Sequence, residues 1–96
     1  MSQKSILEPL IGLMRGQPQD LIESITIAEI KEHRRLLDAA TSADAMRKEG
    51  GSDQDDRALE QAYLSAMIAL YAQQAALSTL LDILGHIPNV PNDPLN

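Results

Sequence analysis

An all-α fold, built on an antiparallel two-helix hairpin with a short helical segment before it, follows from three features of the 96-residue chain. An apolar 4-3 repeat runs through residues 53–84 for roughly four heptads. A second stretch with helical periodicity fills residues 26–48. Between them stands Gly50-Gly51, a pair that breaks helices. The composition agrees: with two Tyr and neither Phe nor Trp, a core must come from Leu, Ile, Ala and Met, good helix formers apart from Ile. The length suits one domain.

Residues 1–25 form a lead segment punctuated by Pro9, Gly12, Gly16 and Pro18. Within it Ile6, Leu10, Leu13 and Met14 recur at helical spacing. Such a segment either docks on the protein's own bundle or serves as an arm for a partner, a role that flexible Met and Leu surfaces suit. Gly12 and Gly16 do not make a phosphate loop, because no strand precedes them and no Lys-Ser/Thr follows.

The first helix is expected over 26–48. Thr26 and Glu29 have the spacing of a capping box, and Ile25 with Ile30 that of a hydrophobic staple. Ile30, His33, Leu36, Leu37 and Ala40 share one arc of this helix. His33 reads as a core or interface histidine; a metal role needs further ligands, and the other histidine, His86, lies beyond the second helix. Lys31, His33, Arg34 and Arg35 form a basic cluster diluted by Glu29, Glu32 and Asp38. It reads as a solvated face of i,i+3 and i,i+4 pairs, as a protein contact, or as a nucleic-acid contact.

The second helix is expected over 53–84. Asp53, Asp55 and Asp56 occupy its first turn, where the helix dipole favours negative charge. They are not a calcium loop, since Ala58 stands where the loop requires Gly. Gly85 with Pro88 beyond is a stop signal. A tail, 85–96, carries Pro88, Pro91 and Pro94 and reads as extended.

The seam of this helix takes Tyr63, Leu70, Leu77 and Leu84, alternating with Leu59, Ala66, Gln73 and Leu80. Ala62, Ala69, Ala76 and Ile83 line one side, and Met67 and Leu81 the other. Leu64 and Ile68 are apolar as well, so the helix is apolar around most of its circumference. At about 1.5 Å per residue the first helix is roughly 35 Å long and the second roughly 48 Å, so the first is expected to leave part of the second bare. A second copy of the chain is the simplest cover, giving a four-helix bundle from two hairpins. Gln73, polar within the seam, either fixes the register and oligomeric state or faces solvent between monomers.

Residues 61–81 carry no formal charge and have spanning length. Gln61, Ser65, Gln73, Gln74, Ser78 and Thr79 argue for a helix buried in a bundle instead. The N-terminus reaches Glu8 before an apolar run forms, so no signal peptide is expected. The net charge is −6; residues 53–96 hold one Arg against six acids. That balance argues against nucleic-acid binding, which needs a basic face to displace counterions. No cysteine is present, which excludes disulfides and thiolate chemistry and is compatible with the cytoplasm. No catalytic or cofactor motif appears, so an enzyme is not expected.

Several segments taken together carry a resemblance: Leu10-Ile-Gly-Leu13 with Arg15-Gly16, Ile25-Thr-Ile27, His33-Arg-Arg-Leu36, and Ala76-Leu-Ser-Thr-Leu80 running into Ile83-Leu-Gly85 and Ile87-Pro88. Their order and spacing over residues 7 to 88 resemble the TraM family, quorum-sensing antiactivators of conjugative plasmids; residues 42 to 58 look least family-like. The resemblance implies a helical homodimer. It also implies a partner, a LuxR-type transcription activator similar to TraR, whose DNA binding the family blocks so that conjugal transfer genes stay silent. On that basis Leu13, Met14, Arg15, Ile22 and Tyr63 are candidate partner contacts. Leu59, Ala66, Leu70, Gln73, Leu77, Leu80 and Leu84 are candidate dimer or core positions. A structural or adaptor bundle without a regulatory role is the competing expectation.

Overall fold

A computed structural model describes residues 7–49 and 53–90, with side chains for 7–49 and 56–90. All regular structure among the described residues is helical: α1 (Glu8–Met14), α2 (Gln19–Glu49) and α3 (Asp53–Leu84). The two long helices pack along each other as a hairpin, and α1 lies on α3. The Gly50-Gly51 breaker, Ile6, Pro91 and Pro94 fall outside the described residues.

The start of α1, the break between α1 and α2 and the end of α3 each have a local cause. Pro9 lies in the first turn of α1, where its missing N–H costs nothing. After α1, Gly16 takes a positive φ of 84°, a conformation that other residues adopt only with strain. Pro18 then starts α2: its carbonyl accepts from the N–H groups of Leu21 and Ile22, and Asp20 sits in the first turn, where the dipole favours an acid. At the end of α3, Gly85 has φ 88° and its N–H donates to the Leu81 carbonyl at 2.9 Å, an αL stop.

The capping box at Thr26 does not form. α2 begins at Gln19, seven residues before the expected cap, and Thr26 is fully buried inside the helix. Its Oγ1 donates to the Ile22 carbonyl at 2.7 Å, the back-bonding open to a mid-helix threonine. Ile25 packs against the core cluster rather than forming a staple. Ile22 is likewise helical, not part of a turn.

The earlier start also corrects the length argument. α2 has 31 residues and α3 has 32, so each is roughly 47 Å long and neither outruns the other. Leu70, Gln73, Leu77, Leu80 and Leu84 are buried, while Leu59, Tyr63 and Ala66 are half-buried. The seam is thus consumed within one hairpin. What stays bare is set by circumference: Leu64, Ile68 and Tyr71 are exposed on the far side of α3, Ile68 at 68%. Residues 56–84 are long and apolar enough to cross a membrane by length and composition, but Gln73 and Thr79 lie within that span and are bonded to the helices around them.

Met14, Ile22, Leu80 and Leu84 form the core cluster, with Leu10, Ile25 and Ile83 packed against it. Burying one such leucine stabilises by about 1.5–3 kcal/mol. Leu80→Ala is therefore expected to cost about 2–5 kcal/mol in urea denaturation, the transfer term plus the cavity. Thr26→Val should stay within about 0.5 kcal/mol of the unmutated chain, because no donor is left unpaired and the Ile22 carbonyl keeps its helical partner. A loss near the ~1 kcal/mol of a broken N-cap would contradict the placement of Thr26 inside α2.

Candidate partner-binding surface

The proposed contacts from the lead segment separate on folding. Leu13 is 70% exposed, whereas Met14, the next residue, is 5% exposed and belongs to the core. Ile22 is 6% exposed and lies against Met14, Leu80 and Leu84. Met14 and Ile22 hold α1 to the hairpin and offer no surface to a partner. Arg15 follows Leu13 into solvent. A helix turns about 100° per residue, which carries Leu13 away from the face that Met14 buries.

α1 itself is tied down. The Leu7 N–H donates to Thr79 Oγ1 at 2.9 Å, and Thr79 Oγ1 donates to the Ala75 carbonyl at 2.8 Å. Thr79 is fully buried and links the start of α1 to α3. Gln19 Nε2 donates to the Leu84 carbonyl at 3.4 Å, joining the start of α2 to the end of α3. The lead segment therefore docks on its own hairpin and presents Leu13 and Arg15 outward. Leu21 is exposed at the start of α2, and Ile87 is exposed just past the end of α3.

Tyr63 sits at the other end of the hairpin. It is half-buried, with the Arg47 guanidinium 4.1 Å from its ring centroid. Arg47 also pairs with Asp44 at 2.7 Å and with Glu60 at 3.5 Å, and Lys48 reaches Asp44 at 3.1 Å. This clasp joins α2 to α3 across Tyr63. A shallow groove runs beside it, lined by Leu37, Ala40, Thr41, Asp44, Tyr63, Met67 and Leu70. Hydrogen bonds from Lys48 and Arg47 hold the Asp44 carboxyl below the ordinary aspartate range.

Gln73 pins the middle of the hairpin. Its Nε2 donates to the Glu29 carbonyl at 2.9 Å and to Glu29 Oε1 at 2.8 Å. It sets the α2–α3 register within one chain. Its Oε1 is buried without a hydrogen-bond partner, as are His33 Nδ1 and Arg47 Nε.

The basic cluster on α2 is largely engaged. Arg35 pairs with Glu32, and Arg34 donates to the Val90 carbonyl at 3.3 Å, drawing the first residues of the tail onto α2. Pro88, within that segment, is buried. Arg15, Lys31 and Arg57 stand on separate parts of the fold, so no continuous basic face forms among the described residues. No group of three or more potential metal ligands gathers among them either.

Neither Thr79, Gln19 nor the Arg47–Tyr63 clasp was singled out by sequence reasoning. The amphipathic turns around Thr79 carry no mark of a long-range bond. Pro18 followed by Gln19-Asp20 is a helix-start signal that could have located α2.

Two expectations follow from this geometry. Because the folded pKa of Asp44 is lowered, its contribution is present above the unfolded pKa and is lost as pH falls through the lowered value. Asp44→Asn should therefore flatten the acid side of the stability curve in denaturant titrations run from neutral to low pH; superimposable profiles would refute the clasp. Gln73→Leu should leave stability unchanged or raise it by about 1 kcal/mol, because it removes a buried unpaired oxygen. A clear loss in urea denaturation would mean that the amide contributes net stability.

Comparison with known proteins places this architecture in a family. The model of the prokaryotic transcriptional repressor TraM family matches residues 1–89. The chain is 41% identical over 97 residues to a transcriptional repressor TraM of Rhizobium radiobacter, covering 94% of this chain and 90% of that protein. It is 40% identical over 92 residues to a transcriptional repressor TraM of Agrobacterium fabrum (strain C58 / ATCC 33970), covering 93% and 89%. The matches run through all three helices, and the chain belongs to the TraM family of prokaryotic transcriptional repressors.

Proposed function

We propose that this protein is an antiactivator. It binds a LuxR-type, TraR-like quorum-sensing activator, blocks the activator's access to DNA, and so keeps plasmid conjugal transfer genes silent. It acts in the cytoplasm as a homodimer, without catalysis, cofactor or direct contact with DNA.

One observation carries the reading: a member of a repressor family has a net charge of −6 and commits most of its α2 bases to its own carboxylates and carbonyls. Specific DNA binding draws much of its affinity from phosphate neutralisation, which such a surface does not supply. A repressor of this kind acts on another protein. DNA-binding domains are basic, and an acidic partner gains encounter rate from that complementarity. The α1 end suits the role, with Leu13, Leu21 and Ile87 exposed beside Glu8, Asp20 and Arg15, also exposed. Tyr63, held under Arg47, is a weaker contact than Leu13 in this account.

The homodimer is supported by the bare side of α3. Leu64, Ile68 and Tyr71 make a contiguous apolar stripe at i, i+4 and i+7, beyond the scattered apolar residues that any surface carries.

A gel shift with signal-loaded activator and its promoter DNA tests the function. Adding this protein is expected to abolish the activator–DNA band. Leu13→Glu should need at least about tenfold more protein for the same effect, as for loss of an apolar anchor. A band that survives a large excess of the unmutated chain would refute the antiactivator reading.

A further inference from the structure

The tail follows α2 instead of leaving it. Gln19 Nε2 donates to the Leu84 carbonyl, and Arg34 donates to the Val90 carbonyl. These two anchors are roughly 22 Å apart along α2. The six residues from Leu84 to Val90 reach at most roughly 21 Å. The segment therefore runs nearly straight along α2, heading for the Tyr63 end of the hairpin, and the Arg34 side chain closes the remainder. Ahead of Val90 the groove between α2 and α3 lies open. Leu37 and Thr41, three and seven residues past Arg34 and on its side of α2, line that groove opposite Tyr63, Met67 and Leu70. Leu37 is 47% exposed there.

Pro88, Pro91 and Pro94 recur every third residue. That is the period of a polyproline II helix, so an extended tail carries all three on one face. The direction of that face is fixed at its first member: Pro88 is buried, while its neighbours Ile87 and Asn89 are exposed. We infer that residues 91–96 of this chain continue along the groove, with Pro91 and Pro94 turned into it. At about 3.1 Å per residue, Pro91 comes roughly 3 Å and Pro94 roughly 12 Å beyond Val90. Leu37 and Thr41 stand roughly 5 and 10 Å beyond Arg34. Pro91 then meets Leu37 and Leu70, and Pro94 meets Thr41 and Tyr63. Prolines suit this place because they bring no N–H to desolvate. Grooves with an aromatic lining take such preformed segments at low entropic cost. The tether also holds the segment at a local concentration on the order of millimolar, which favours it over a second copy or a separate protein. The tail, in this arrangement, is the cover of Tyr63.

The absence of cysteine makes engineered thiols an unambiguous probe in the full chain. Thr41→Cys with Pro94→Cys places a thiol pair across the proposed contact. Ser42→Cys with Pro94→Cys is the control: Ser42 is exposed, equally near Arg34, and turned about 100° from Thr41. A tail that is merely tethered reaches both positions alike. Equilibration against glutathione reads the effective concentration of each pair. The Thr41 pair is expected to exceed the millimolar value of a free tether by roughly tenfold, and the Ser42 pair to stay near it. Equal values overturn the docking. Disulfide-linked dimers from the Thr41 pair also overturn it, and assign the groove to the tail of a second copy.

A second readout needs no cross-link. In a Tyr71→Phe chain Tyr63 is the sole tyrosine, and no tryptophan is present. Pro91→Asp with Pro94→Asp is expected to raise acrylamide quenching of Tyr63 fluorescence toward that of free tyrosine. Unchanged quenching means that the tail does not cover Tyr63 and overturns the inference.

Discussion

A helix that is apolar around most of its circumference cannot be satisfied by one neighbour, and α3 is such a helix. α2 covers the seam of Leu70, Leu77, Leu80 and Leu84. α1, anchored through Thr79, covers the adjoining side of the last turns. The strip from Leu64 to Tyr71 is left over. The tying of α1 and the availability of a face for a second chain both follow from that one excess of apolar surface. Because α2 and α3 are of nearly equal length, the excess is angular, not longitudinal.

Local signals in the sequence were reliable where their meaning did not depend on context. The run of aspartates and the Gly85–Pro88 stop mark a span of 53–84, which coincides with α3. Thr26-x-x-Glu29 is different. The same four residues cap a helix when the chain before them is not helical and back-bond when it is, and Pro18 had already started α2 eight residues upstream. Periodicity had a second limit. It finds apolar faces without saying what they face; the contact roles of Met14 and Ile22 came from the resemblance, and both residues are core. Gln73 read either as a device for register and oligomeric state or as a residue facing solvent between monomers; it is buried and bonds α3 to α2 through Glu29.

The surface that remains explains why the family's regulatory role is compatible with an acidic chain. Arg35, Arg47 and Lys48 are each paired with a carboxylate, and Arg34 holds the tail through Val90. Arg47 and Arg34 reach α3 and the tail, while Arg35 and Lys48 pair within α2. In the proposed function, exposed Leu13, presented by an α1 docked on α3, would be an apolar anchor with little ordering cost on binding. Repression through protein capture needs only such a surface.

The central claim, repression without contact with DNA, is tested most directly by fluorescence anisotropy. The purified chain is titrated into a labelled promoter duplex at low salt, where electrostatic binding is strongest. The account predicts a flat signal across the titration. A saturable rise that falls steeply with added salt would contradict it.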